Sequence, residues 1–265
     1  MRLLLAVVLG VGLAIAQAPK LSTKQQAALL ELQQQAKDKP TSAQAQRNLA
    51  EMYLLVRDPA NAVVAFGAAL AIEPKNTEFR DRRGDAYLWN GKFTEAIADY
   101  DAVIVAKPDI EPEHWRRGIA YYYAGKFKLG VAQFETHKTV NPQDVENAAW
   151  HYLCNSRVVG VDKAAAALID VTRDRRIPMK EIQKLYAGKL KPKDVIDAAE
   201  QTKVDDEDGT SARFYAHLYV GLWYEAQGNA EKAKEHLTIA ADKYVIADYM
   251  WNIAEMHSKQ LKAKK

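Results

Sequence analysis

Cysteine is nearly absent: the chain has one, Cys154, so no internal disulfide is available and the fold must be held together by packing. Within "AAWHYLCNS" that thiol reads as a small buried apolar residue rather than a nucleophile. One cysteine also excludes a CxxC pair, and the six histidines show no spacing of the HExxH kind. There is no GxSxG elbow and no glycine-rich phosphate loop. Excess charge is missing too. The formal net charge is +3, and lysines and arginines are scattered apart from the closing "KQLKAKK", which reads as a solvated C-terminus. No basic face argues for nucleic acid. With no convergent catalytic groups, the expectation is a protein that is not an enzyme and needs no cofactor or metal.

Long apolar runs are absent except at the start. "MRLLLAVVLGVGLAIA" has one early positive charge, an uninterrupted apolar stretch and small residues at Ala14 and Ala16. It is short for a membrane span and has the build of a secretory signal peptide, residues 1–16, with cleavage after Ala16. An uncleaved N-terminal anchor is the alternative. No cysteine follows the run, so no lipid attachment is expected. Export, with a soluble periplasmic product, is the expected localisation.

What is present is a repeat. "GDAYLWNGKFTEAIADY" (84–100) returns as "GIAYYYAGKFKLGVAQF" (118–134), thirty-four residues later. Pro74, Pro108 and Pro142 keep the same interval, as do Tyr53, Tyr87 and Tyr121, and Phe66, Tyr100 and Phe134. Small residues recur at Ala50, Gly84 and Gly118, where one helix must approach the next closely, and at Ala62, Ala96 and Gly130 on the second helix. Gly91 and Gly125 stand where the first helix should stop, in the left-handed conformation of a C-terminal cap. A 34-residue helical period with these landmarks is the signature of tetratricopeptide repeats (TPRs). The predicted fold is all-α: a superhelical solenoid of stacked antiparallel helix pairs closed by a C-terminal capping helix.

Three repeats are clear, at 43–76, 77–110 and 111–144. A fourth, 145–172, keeps helical periodicity but carries Tyr152 at the glycine register and is degenerate. The landmarks return in "GLWYEAQGNAEKAKEHL", with Gly221 and Ala233 in the two small-residue registers, inside a C-terminal unit at 210–265. "DYMWNIAEMHSKQL" reads as the capping helix. Between them, 173–209 is an insertion of two short helices, each opened by a proline (Pro178, Pro192), followed by a solvated acidic loop, "DDEDGT". Residues 17–42 contain an N-terminal helix with Thr23 and Gln26 at capping-box spacing.

The concave wall of such a stack is lined by the first helix of each repeat. The registers facing it place Arg47, Glu51, Leu54 and Leu55, then Asp81, Asp85, Leu88 and Trp89, then Trp115, Ile119, Tyr122 and Tyr123 on that wall. It grades from charged to aromatic and suits an extended peptide or a partner helix. Aromatic residues at helical spacing also suit a core, so Trp89, Trp115 and Tyr122 stay open between groove and core. The lysine and asparagine clamp by which some repeat proteins grip a C-terminal carboxylate is not reproduced: its registers hold Arg47, Glu51, Arg82, Pro112 and Arg116. His114 and His217 share a repeat register, which favours structural roles.

Three stretches, "HWRRGIAYYYAGKFKLGVAQF", "LYAGKLKPKDVI" ahead of an acidic run, and "YVGLWYEAQGNAEKAKEHL" followed by "AADKY", carry a resemblance to the NlpI family of bacterial periplasmic TPR lipoproteins. It spans roughly residues 40–258. The resemblance implies an all-helical dimer acting as an envelope adaptor that brings peptidoglycan hydrolases to a protease. The family's lipid-bearing cysteine is missing, which puts membrane tethering in doubt. A homodimer through the N-terminal helix or the terminal repeats is a secondary expectation. The alternative to an exchanging adaptor is a structural subunit of an envelope assembly or secretion machine.

Overall fold

A computed structural model describes residues 21–202 and 207–263. The signal-peptide stretch lies outside the described residues, as do positions 203–206, including the start of the acidic run. The rest of that run is not loop: Glu207–Thr210 form the first turn of a helix. Among the described residues all regular structure is helical.

The chain starts with α1 (Thr23–Asp38), then α2 (Ala43–Leu55) and α3 (Pro59–Ile72), α4 (Thr77–Trp89) and α5 (Phe93–Ala106), and, after a 3₁₀ turn at Pro108–Glu113, α6 (Trp115–Tyr123) and α7 (Phe127–His137). Connections of three residues fold each pair back on itself. The capping box of α1 is made one residue earlier than the spacing suggests, by Ser22 and Gln25. The sequence "STKQQ" offers both pairs, and the chain uses the first.

The glycine register does what its size allows. A Cβ on Gly118 would stand 2.6 Å from the Phe134 ring, and one on Gly84 would stand 2.5 Å from the Tyr100 ring. Both aromatics are fully buried, a contribution of roughly 1.5–3 kcal/mol for each such side chain. Gly221 repeats the arrangement against Leu237. Gly91 takes φ of +72°, ending α4 and turning the chain into α5.

The next stretch departs from the pattern. α8 (Val145–Val159) is followed by a six-residue α9 (Val161–Ala166), an irregular segment, α10 (Met179–Tyr186) and α11 (Pro192–Glu200). Pro192 opens α11 at its first position, whereas Pro178 precedes α10 as its N-cap. α10 buries Met179, Ile182, Leu185 and Tyr186, one face at helical spacing. The last pair is α12 (Glu207–Ala226) and α13 (Ala230–Lys243), and α14 (Tyr249–Ala263) follows. α14 is more than a lid on the stack. It packs on α13 and also reaches back to α4.

Candidate binding groove and adjoining cavity

The charged end of the inner wall is a ladder of ion pairs running from helix to helix. Arg47 meets Glu78 at 3.3 Å, and Arg82 grips Glu51 with two bonds of 3.0 and 2.7 Å. Asp85 is wholly buried and is the hub, accepting from Arg82 (2.7 Å), Arg116 (2.8 and 2.9 Å) and the Tyr100 hydroxyl (2.9 Å). A buried carboxylate is tolerable only with such a set of donors. Arg116 also reaches Asp81 at 2.6 Å, and His114 meets the other Asp81 oxygen at 2.9 Å. Burial alone would raise the Asp81 carboxyl, but His114 and Arg116 outweigh it and hold it low. The arginines at the registers of a carboxylate clamp are thus already paired within the wall.

The aromatic end is occupied. Tyr249, at the start of α14, lies 5.1 Å from the Trp89 ring and 4.9 Å edge-on from the Trp115 ring, and its hydroxyl donates to Asp85 at 3.1 Å. Further along α14, His257 Nδ1 meets the Tyr123 hydroxyl at 3.0 Å, while Nε2 faces Glu225 at 3.5 Å. The Tyr122 hydroxyl donates to the same Glu225 at 3.0 Å. Arg57, in the turn after α2, lies 3.8 Å over the Trp251 ring. The helix therefore lies along the wall and bridges the C-terminal pair to the first three repeats.

Four of the residues expected on the wall, Leu54, Leu88, Ile119 and Tyr122, are core. Leu54 and Leu88 are buried in the hydrophobic clusters because each stands four residues after the small crossing residue (Ala50, Gly84) and so shares its inward face. Tyr122 stands four after Gly118 and is buried likewise, leaving only its hydroxyl on a partner. Trp89, Trp115 and Tyr123 are half-buried, under α14. Leu55 is exposed, and Ile119 is fully buried.

Beside Trp115 and Tyr249 the inner wall opens into a cavity of about 260 Å³ between α6, α8, α12 and the start of α14. Its aromatic walls are Trp115, Trp150, Tyr215 and Tyr249. Its charged groups are Asp144, Glu146 and Asp248 with one guanidinium, Arg176. Arg176 meets Glu146 (2.5 Å), Asp144 (2.9 Å) and, outside the lining, Asp174 (2.6 Å). Burial pushes the Glu146 carboxyl up to about 7 against the pull of Arg176. None of these acids lies in the first-helix wall registers of the clear repeats, so repeat arithmetic could not find them. The available signal was the N-cap position of Asp144 and the cluster "TRDRR".

Elsewhere, His217 Nδ1 stands 3.1 Å from His236 Nδ1, and burial together with His236 lowers His217 to about 4. His114, in the same repeat register, instead faces Asp81, so the shared register does not carry a shared contact. Cys154 is fully buried, its thiol pushed up by burial, and packs where a Cβ on Gly130 would sit. Among the described residues no group of three or more potential ligands is placed to hold a metal ion. No described helix is long and apolar enough to cross a membrane.

No protein-family profile matches this chain. No curated protein matches it either. Among solved structures, a tetratricopeptide repeat protein from Parabacteroides merdae is similar over 90% of this chain and 92% of its own, at 16% identity and a TM-score of 0.56. YrrB, described as a TPR protein with an unusual peptide-binding site, aligns over 86% of this chain and 97% of its own, at 17% identity and a TM-score of 0.43. PilW, a type IV pilus biogenesis factor, aligns over 86% and 90%, at 17% identity and a TM-score of 0.42. The first of these likenesses, with the helix pairs described above, shows that the chain has the fold of a TPR solenoid.

Proposed function

We propose that the protein is a non-enzymatic scaffold that binds other proteins along the inner wall of its helical stack. One observation carries this reading: the wall already grips an amphipathic helix, seating Tyr249 of α14 between Trp89 and Trp115. A surface that binds a helix in cis has the shape and chemistry to bind one in trans. By resemblance to the NlpI family, the partners are envelope proteins, peptidoglycan hydrolases and a protease, met after export to the periplasm. A homodimer belongs to the same reading.

The filled groove also favours the second reading, a structural subunit of an envelope assembly, because a wall occupied by its own helix needs no exchanging partner. Affinity capture from an envelope extract separates the two, run with the wild type, Tyr249→Ala to loosen α14, and a Trp89→Ala, Trp115→Ala double variant. An adaptor captures a hydrolase or protease in exchangeable amounts, more with Tyr249→Ala and less with the double variant. A structural subunit co-purifies with fixed partners in fixed stoichiometry, unaffected by either change. Capture of wall enzymes equally by all three would move the binding site off the inner wall.

A further inference from the structure

We propose that the cavity beside α14 is a binding site for a cationic group, a guanidinium or alkyl ammonium, carried either by a partner's arginine or lysine side chain or by a free amine. The reading rests on the cavity alone and stands whether or not the inner wall is a scaffold surface.

Charge and shape agree. Asp144, Glu146 and Asp248 face the cavity against one guanidinium, and that guanidinium is further engaged by Asp174. The space is therefore negative through Asp144 and Asp248 even while Glu146 holds its proton. Aromatic rings line it, and a cation over a ring face is attracted by the ring quadrupole. A volume of about 260 Å³ falls just below the ~300–1,000 Å³ usual for drug-sized ligands and suits one side chain or a small amine.

Two lining residues leave polar atoms without partners. Asn147, 4% exposed, donates its amide to the Phe134 carbonyl but leaves Oδ1 unpaired. Trp150, 2% exposed, leaves its indole N–H unpaired; a cation carries no acceptor for it, so this group serves as a reporter at the site and only Asn147 Oδ1 calls for a donor. Such buried orphans are costly, and most buried polar groups find partners. His137 adds an acceptor: its Nδ1 lies 2.8 Å from the Pro112 carbonyl, which can only accept, so the neutral ring keeps its proton on Nδ1 and Nε2 stays an acceptor. Acceptors, carboxylates and aromatic faces together match a ligand rich in N–H donors with positive charge.

The full chain, labelled with ¹⁵N, is titrated with agmatine, with N-acetyl-arginine amide, with its neutral isostere N-acetyl-citrulline amide, and with a blocked peptide carrying one internal arginine. The readout is the Trp150 indole N–H signal, assigned with Trp150→Phe. Saturable shifts are expected from the cationic probes and none from citrulline. Asp248→Asn keeps the hydrogen bond to the Met250 amide while removing one charge, and should weaken binding about tenfold, the scale of one partly screened ion contact. Glu146→Gln, which keeps an acceptor for the Tyr219 hydroxyl, is the second charge variant, compared at about pH 8 where Glu146 is ionised, and thermal melts check that both fold. Response to the peptide and arginine amide alone identifies a partner side chain as the source; response to agmatine alone identifies a free amine. No shift with any cation, equal shifts with citrulline, or unchanged affinity in both charge variants would overturn the proposal.

Discussion

In the second and third repeats a glycine stands at the helix crossing, and the helix that follows in sequence folds straight back onto the first. Thirty-four residues on, the same register holds Tyr152, and the next helix fails after six residues. α9 starts in phase, since Ala164 falls thirty-four residues after Gly130 and is fully buried. It ends at Ala166, still packed on α8, and α10 packs on α8 as well, its Tyr186 ring 4.9 Å edge-on from Tyr152. Where the register is large, the sequence neighbour is cut short and a later helix joins it against the same partner. A small residue admits the close hairpin, and a large one needs a partner brought from the insertion.

Tyr152→Ala tests this directly and has the largest expected effect. The side chain is 1% exposed and its hydroxyl accepts from Gln227. Restoring a small residue without restoring a full α9 leaves a cavity, at a cost of about 3–5 kcal/mol by chemical denaturation. A neutral or stabilising result would mean that Tyr152 is a tolerated deviation and that volume at the crossing does not direct the pairing.

Two buried groups, one in the degenerate repeat and one in the C-terminal unit, titrate in opposite senses. Glu146, raised to about 7 by burial, holds its proton in the folded state over pH values where the unfolded chain has lost it. Its contribution is full below its ordinary value of 4.5 and falls as pH rises towards 7. His217, lowered to about 4, behaves in reverse: the unfolded chain takes up a proton first as pH falls below 6.5, so stability is lost between 6.5 and 4. Each effect is at most roughly 3 kcal/mol. Denaturation curves across this range should flatten on the acid side in His217→Gln and on the neutral side in Glu146→Gln. If neither changes the profile, the two groups are solvated in the folded protein.

The reciprocal of the first test is Gly118→Ala. Its Cβ would stand 2.6 Å from a buried Phe134 ring, and overpacking of this kind costs about 1–3 kcal/mol. Gly125→Ala, at a φ of +70° with nothing within 4 Å, meets backbone strain but no neighbour, so the pair separates crowding from conformation. Equal losses would leave the crossing argument without support.

The repeats were legible because their causes are local and periodic: glycine at a crossing, glycine at a turn, proline after a helix. The fate of the inner wall was not. Leu88 and Tyr122 were assigned to it by register, yet their position one turn after the crossing glycine, also readable in the sequence, puts them on the inward face. The cavity acids come from the start of α8 and the residue before α14, and their arginine from the irregular segment, which only tertiary structure brings together. The same holds for the occupant of the groove, where Tyr249 and Asp85 are separated by 164 residues. Periodicity marked α14 as amphipathic, but nothing periodic says which neighbour an amphipathic helix will choose.

Tyr249→Phe isolates that choice with the smallest expected effect. The ring and its contacts with Trp89 and Trp115 stay, and the hydroxyl's contacts with Asp85 and Tyr100 are lost. Asp85 keeps Arg82, Arg116 and Tyr100, so the net cost is about 1 kcal/mol. If α14 is a separately opening element held to the wall by this contact, its amide protons should exchange about fivefold faster while those of α13 are unchanged. Equal acceleration in α13 and α14 would mean that the last three helices open together, and a wall that releases α14 only by undoing the C-terminal pair is better suited to permanent bracing than to exchange of partners.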